Sequence, residues 1–127
     1  MIEIQFRYDS FININNIKKL EYKDLLKIEC YFCIKVNGRV FFEEPLFPLL
    51  EFLYFYKKWS LNRNQDFIYN TIESEDNPLI TFKKYKNGWK IDSTWKRFQC
   101  NMVFTIEDLI HAVDNLIYTI EMHNNTL

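Results

Sequence analysis

The sequence has 127 residues, of which 48% are hydrophobic and 18% aromatic, and its formal net charge is −1. This length and apolar content fit one folded domain and exclude a disordered chain. No apolar run reaches the ~20 residues of a membrane span, and no basic segment precedes an apolar one as in a secretory signal. We therefore expect a single cytoplasmic domain over residues 1–127.

The first predicted element is a strand in which apolar residues alternate with polar ones: Ile2, Ile4, Phe6 and Tyr8. Residues 10–24 alternate less clearly, and they predict a turn and a short strand around Ile12 and Ile14. A longer strand follows, with six apolar residues on one face: Leu26, Ile28, Cys30, Phe32, Ile34 and Val36.

The dipeptide Asn37-Gly38 predicts a hairpin turn into a strand over residues 39–43, because both central residues of a type I′ turn need positive φ. A two-residue loop places Phe41 beside Ile34. The same register sends other apolar residues to the opposite face: Tyr31, Cys33, Val40 and Phe42. Two explanations stay open, a β-bulge that shifts the register or a sheet covered on both faces.

A central helix is predicted from about Pro45 or Pro48 to Trp59, with proline in its first turn. Its core face carries Leu49, Phe52, Leu53 and Tyr56. Tyr54 and Phe55 lie off that face, where solvation would favour charged residues. We expect these two rings on a contact surface, with Glu51 and Lys58 as its polar rim and Val40 and Phe42 beside it.

Residues 67–72 predict a short strand, and Asn87-Gly88 predicts a second hairpin. A two-residue loop at this dipeptide gives the pairs Lys84–Ile91, Phe82–Ser93 and Ile80–Trp95, with Lys83 opposite Asp92. Six basic residues cluster here: Lys83, Lys84, Lys86, Lys90, Lys96 and Arg97. Nearby acids and the net charge make a solvated face the simpler explanation.

One more strand is predicted over residues 98–104, from alternating Phe98, Cys100, Met102 and Phe104. The C-terminal helix begins at Thr105, an N-cap with Asp108 three residues later, close to a capping box. Its narrow apolar stripe comprises Ile106, Leu109, Ile110, Val113, Leu116, Ile117 and Ile120.

Known catalytic and metal-binding motifs are absent from the sequence. Cys30 and Cys33 lie three apart in a strand pattern, so they point to opposite faces and cannot chelate one ion. With two glycines and two histidines, no phosphate-binding glycine loop or His-Glu-x-x-His motif exists. We expect no metal and no cofactor. Ser93 and Trp95 are the residues that could line an aromatic-walled pocket.

The strings NGRVFFEEPLFPLLEF, KKW, DFIY, ESEDNPLITF and WKIDSTW resemble a small bacterial family known as a domain of unknown function. Size, class and a composition typical of low-GC genomes also resemble the immunity proteins of bacterial polymorphic toxin systems. That resemblance implies a cytoplasmic protein that binds and blocks a toxin domain, and it identifies no site residue.

These patterns predict an α+β fold, mainly an antiparallel sheet of five to seven strands with one central and one C-terminal helix. We interpret the chain as a non-enzymatic protein-binding module with a protein partner or as a homodimer. One alternative is a small-ligand-binding protein or enzyme with an aromatic-walled pocket. Another is a nucleic-acid-binding module that uses the basic second hairpin, the class that the net charge favours least.

Overall fold

The computed structural model describes residues 3–9, 28–71 and 75–125, which form two three-stranded antiparallel sheets and two helices. In chain order the elements are β1 (Ile4–Tyr8), β2 (Cys30–Val36), β3 (Arg39–Phe47), α1 (Leu49–Ser60), β4 (Phe67–Tyr69), β5 (Ile80–Tyr85), β6 (Gly88–Asp92) and α2 (Ile106–Asn125). Sheet A has the order β1-β2-β3 and sheet B the order β4-β5-β6.

The α+β class, the antiparallel pairing and a strand number between five and seven are as predicted, but the strands form two sheets instead of one. The predicted strand around Ile12 and Ile14 lies outside the described residues. Of the helices in the described part of the chain, neither is long and apolar enough to cross a membrane.

The first hairpin contains a bulge, which answers the question of register that the sequence left open. The pairing shifts between Ile34 and Lys35, so that Phe42 pairs with Ile34 and faces the core. Phe42 is 0% exposed, and the expected exposure of this ring is therefore wrong. Phe41 is buried too, edge-on against Phe98 at 5.6 Å between ring centroids. Both explanations hold, since a bulge shifts the register and the second face is covered.

The second hairpin turns one residue earlier than predicted. Tyr85 pairs with Gly88, which leaves Lys86 and Asn87 in the turn. Phe82 consequently pairs with Ile91 rather than Ser93. The shift moves each pair by an even number of residues, so the predicted inward face is preserved.

The shifted register also changes the pairs on the outer face. Lys83 faces Lys90 instead of Asp92, and Thr81 faces Asp92. β6 ends at Asp92, before Ser93 and Trp95.

The predicted strand over residues 98–104 is wrong. Only Phe104 pairs, in an isolated bridge with Trp89. Directly before this segment, the Arg97 N–H donates to the Phe41 carbonyl at 2.8 Å. Alternate residues still turn inward, because Cys100 and Phe104 are buried. The alternating pattern therefore predicted which residues are buried correctly, but it predicted strand pairing incorrectly.

Both helices begin where the sequence predicts. α1 starts directly after Pro48. At the start of α2 the Thr105 N–H donates to Asp108 Oδ2 at 3.1 Å, and the Asp108 N–H donates to Thr105 Oγ1 at 3.0 Å, a reciprocal capping box. The predicted stripe of α2 is buried at Leu109, Val113, Leu116 and Ile120.

Aromatic rings join the two sheets into one core. The Phe6 ring of β1 lies 6.2 Å from the Phe82 ring of β5, and Phe52 of α1 lies 5.7 Å from Phe67 of β4. Trp59, near the end of α1, meets Trp89 of β6 edge-on at 5.4 Å. Such contacts add to the burial of apolar area, and they fix α1 against both sheets.

Candidate functional site

β1 forms one edge of sheet A, and its backbone shows which of its groups are paired. The Asn37 N–H donates to the Glu3 carbonyl at 2.7 Å, and the Asp9 N–H donates to the Tyr31 carbonyl at 2.9 Å. Alternate residues of an antiparallel strand direct both backbone groups to the same side. Ile4 and Phe6 therefore direct theirs away from β2, and these groups make no hydrogen bond within the described residues.

A groove runs along the side of β1 that faces away from β2, between β1 and α2. Its cavity volume is about 250 Å³, and it is open on one side. The lining residues come from both elements: Ile4, Gln5, Phe6, Arg7, Ala112, Asn115 and Thr119. The groove thus combines a strand edge that has no partner among the described strands with one polar side of a helix.

Tyr8 ties β1 to α2 beside the groove. Its hydroxyl donates to the Thr119 carbonyl at 3.5 Å. Burial, with a smaller contribution from Cys30, raises the pKa of Tyr8 to about 12. The hydroxyl therefore stays protonated at neutral pH and remains able to donate.

α2 carries two exposed apolar side chains, each three residues along the helix from a residue that lines the groove. Tyr118 is 64% exposed and Met122 is 46% exposed. Residues three and four apart are neighbours on a helix surface, so Asn115, Tyr118 and Met122 follow one another along the same side of α2. We call Tyr118 and Met122 the apolar ledge. The ledge was not among the predicted site residues, although the sequence contains its signal, two apolar residues four apart and outside the buried stripe.

The surface predicted on α1 is mostly occupied by internal contacts. Tyr54 and Phe55 are half-buried, and their rings meet edge-on at 5.5 Å. Phe55 also packs 6.2 Å from Tyr69 of β4, while the exposed Lys58 places its Nζ 4.5 Å from the Tyr54 ring centroid. The two rings therefore pack against the core on one side and are exposed to solvent on the other.

Glu51 does not form the polar rim that was expected, because it is 1% exposed. The Tyr69 hydroxyl donates to Glu51 Oε1 at 2.5 Å. β4 covers this side of α1, and a buried carboxylate needs such a donor. Val40 is half-buried in the first hairpin. Of the six residues predicted for the contact surface, Glu51 and Phe42 are thus interior.

The predicted pocket residues Ser93 and Trp95 belong to a turn. Ser93 is buried, and its Oγ accepts a hydrogen bond from the Trp95 N–H at 3.0 Å. Trp95 is half-buried and donates from its indole to Asp76 Oδ2 at 3.2 Å. Both polar groups are therefore engaged within the fold.

Two further groups of a kind that could take part in catalysis or metal binding, Glu43 and Cys30, are also occupied by contacts within the fold or buried. Glu43 accepts hydrogen bonds from the Tyr31 hydroxyl on one oxygen and from the Arg97 guanidinium on the other. Cys30 is buried, and burial raises the pKa of its thiol to about 12. A neutral thiol is a poor nucleophile and a poor metal ligand.

Comparisons with known proteins add a family. A family model described as a domain of unknown function, DUF7878, matches residues 4–123. No curated protein and no solved structure matches the chain.

Proposed function

The chain belongs to the DUF7878 family, and we propose that it is a non-enzymatic protein-binding module whose partner adds an extended segment along the outer edge of β1. The observation that carries this proposal is the outer edge of β1, which is unpaired within residues 3–9, 28–71 and 75–125, beside the groove with α2.

The chemistry of the edge specifies a polypeptide backbone as the ligand. Ile4 and Phe6 have buried side chains, so their outward N–H and C=O groups lie beside an apolar core. Backbone polar groups in such places are nearly always paired. An added strand supplies donors and acceptors at the matching spacing, which is the basis of recognition by strand addition.

The opposite edge of sheet A, formed by β3, is protected in ways that β1 is not. β3 contains Pro45 and two register irregularities, and its Phe41 carbonyl already accepts the Arg97 N–H. Proline and bulges are the devices by which native sheets prevent pairing with other chains. β1 contains neither proline nor lysine and pairs with β2 in unbroken register.

The apolar ledge of Tyr118 and Met122 gives the added strand a preference for certain side chains. Successive side chains of a strand point to opposite faces, so every second residue of the ligand faces α2. We expect apolar residues at these positions, because exposed apolar side chains beside a groove favour an apolar partner. Arg7, Asn115 and Thr119 offer polar contacts around them.

Peptides selected from a displayed library of random segments of about ten residues test the mode directly. Selected peptides should bind the wild-type chain and should protect the amides of Ile4 and Phe6 from hydrogen exchange. Thr119→Arg places a long side chain in the groove and should weaken binding at least tenfold. Asp114→Arg adds the same side chain to a different, exposed position of α2 and should leave affinity unchanged.

Three outcomes would overturn the proposal. The first is a failure to select any peptide. The second is selected peptides that bind equally well to Thr119→Arg, or that lose affinity with Tyr54→Ala instead. The third is a wild-type chain that is dimeric and becomes monomeric with Thr119→Arg, which would make a second copy the occupant of the edge. Thermal melts of each variant separate lost binding from lost folding.

The resemblance to immunity proteins makes a toxin domain the partner class to test first. A toxin domain encoded directly upstream of this gene should stop growth of the host when it is expressed alone. Coexpression of the wild-type chain should restore growth. The Thr119→Arg variant should fail to restore it at equal protein level, whereas Asp114→Arg should succeed. The absence of any growth rescue by the wild-type chain would exclude this partner class.

A further inference from the structure

The β5–β6 hairpin concentrates positive charge, and a nearby carboxylate, Asp66, accepts the backbone N–H of Lys84 at 2.9 Å. Residues 82–91 contain four lysines and no acid, on a chain whose formal net charge is −1. The four are Lys83, Lys84, Lys86 and Lys90. None of them forms an ion pair in the part of the chain that the structure describes, where Lys96–Asp92 and Arg97–Glu43 are the pairs found.

Two of these charges lie directly opposite each other on the outer face of sheet B. Lys83 and Lys90 are cross-strand partners. Like charges at directly opposed positions destabilise a sheet. The register predicted from the sequence would have given Lys83 the carboxylate of Asp92. Asp92 instead bonds Lys96 at 3.1 Å. An external anion would relieve this repulsion.

An aromatic ring lies at the centre of the charged surface. Tyr85 is 39% exposed, with Lys90 Nζ at 3.8 Å and Lys86 Nζ at 5.4 Å from its ring centroid. The same face can stack on a nucleobase once Lys90 turns from the ring to a phosphate. Lysines around such a ring are then placed to contact the phosphates on either side of the base.

We propose that the outer face of the β5–β6 hairpin binds single-stranded nucleic acid, with Lys83, Lys86 and Lys90 on phosphates and a base stacked on Tyr85. This site is independent of the groove beside β1. Lysine is a common ligand of phosphate, which it binds as a point charge. Together with the exposed ring, this favours a phosphate backbone with bases over an acidic protein segment.

Fluorescence anisotropy with a labelled oligo(dT) of about 20 nucleotides, at about 50 mM salt, tests the site. Replacing both Lys83 and Lys90 with glutamine should weaken binding about tenfold and lower the salt slope by about 1.4, or about 0.7 per lost phosphate contact. The same pair of substitutions should slightly raise the melting temperature, because the repulsion is removed. Folding failure therefore cannot imitate the expected loss.

Matched controls isolate the charge and the ring. Lys57→Gln with Arg63→Gln neutralises two exposed charges on α1 and the loop after it, and should change affinity less than twofold. Tyr85→Ala should weaken binding about tenfold, in line with a stacked base. Leu61→Ala removes a more exposed apolar side chain outside both proposed sites and should have no effect.

Three results would overturn the proposal. One is no binding of the oligonucleotide at low salt. Another is an equal loss for the two charge-neutralised pairs, which would show general attraction to a polyanion. The last is competition by polyglutamate of equal charge as strong as that of the oligonucleotide, with Tyr85→Ala silent. That result would assign the surface to an acidic protein instead.

Discussion

The two hairpins contain the same dipeptide and use it differently. In the first, Asn37 and Gly38 form the turn, and both have positive φ, 51° and 81°. In the second, the turn consists of Lys86 and Asn87, and Lys86 takes the positive φ of 54°. Gly88 belongs to β6 and pairs with Tyr85.

The chain that passes beside Gly88 explains the difference. The Trp89 N–H donates to the Phe104 carbonyl at 2.8 Å, and the Phe104 N–H donates to the Trp89 carbonyl at 2.7 Å. A Cβ on Gly88 would lie 2.4 Å from Val103 Cγ1 and 2.7 Å from the Phe104 carbonyl oxygen. Gly38 is required for its backbone conformation, and Gly88 for the close approach of a neighbouring segment.

The largest effect is expected for Gly88→Ala. The added methyl meets backbone as well as a side chain, so the segment around Phe104 has to move, and we expect a loss of about 3 kcal/mol in the free energy of unfolding. Denaturant melts measure it. Adding Val103→Ala should recover only part of the loss, because the contact with the Phe104 carbonyl remains. A loss below that of Gly38→Ala would show that the two glycines do not differ as described.

Gly38→Ala should cost less, about 1–2 kcal/mol, the strain of an L-residue in a left-handed conformation. Nothing lies within 4 Å of a Cβ at this position, so no steric term is added. Gly38→Asn should cost less than Gly38→Ala, since asparagine tolerates positive φ. Equal losses for these two variants would contradict a purely conformational role. Equilibrium unfolding of the three proteins provides the comparison.

A smaller change of opposite sign is expected for Lys86→Gly. Relief of the positive φ should outweigh the entropy that glycine loses on folding, for a net gain of about 0.5 kcal/mol. Asn87→Gly is the control in the same turn, where no positive φ has to be relieved, and it should not stabilise the chain. Melting temperatures of the two variants decide the matter. The reverse order would place the turn at Asn87-Gly88 after all.

The smallest expected effect is a pH-dependent change in stability that comes from Tyr31 in the first hairpin. The hydrogen bond to Glu43 and, to a lesser degree, burial raise the pKa of Tyr31 above its ordinary value. The unfolded chain loses this proton near pH ~10, before the folded chain does. The contribution of Tyr31 to stability is therefore constant below that pH and is lost as the pH rises further.

Denaturant melts of the wild type and of Tyr31→Phe measure this contribution as a difference. The difference should be constant from about pH 7 to about pH 9 and should shrink above about pH 10. Tyr8 and Tyr56 also have a pKa raised to about 12 by burial, but their contribution cancels in the comparison. A difference that grows with pH would mean that Tyr31 is bound more strongly as the phenolate.

Local signals predicted the elements well because they depend on neighbours in sequence. The alternation of β1, the stripe of α2 and the capping box at Thr105 all appear as predicted. The prediction failed where a distant segment decided the outcome. Residues 98–104 alternate like a strand, yet only Phe104 finds a paired neighbour. Glu51 looked like a surface residue because nothing in its own helix shows that Tyr69 covers it.

The candidate site could not be predicted from the sequence for the same reason. Its two walls, β1 and α2, come from opposite ends of the described chain. The apolar ledge could have been found on α2 alone, from Tyr118 and Met122. That β1 would be an edge strand could not, because strand order is decided by the whole sheet. Tyr54 and Phe55 were predicted as the contact surface instead, since a helical wheel cannot show β4 beside them.

The joint between β1 and α2 also has a consequence for the order of folding. The bond from Tyr8 to Thr119 connects residues 111 positions apart, whereas the Trp89–Phe104 pair closes a far shorter loop. Closing the longer loop costs about 2 kcal/mol more in chain entropy, so we expect sheet B to organise before β1 meets α2. The groove then exists only in the completed fold. A ligand that occupies it binds no earlier species, and its binding free energy adds to the stability of the entire domain.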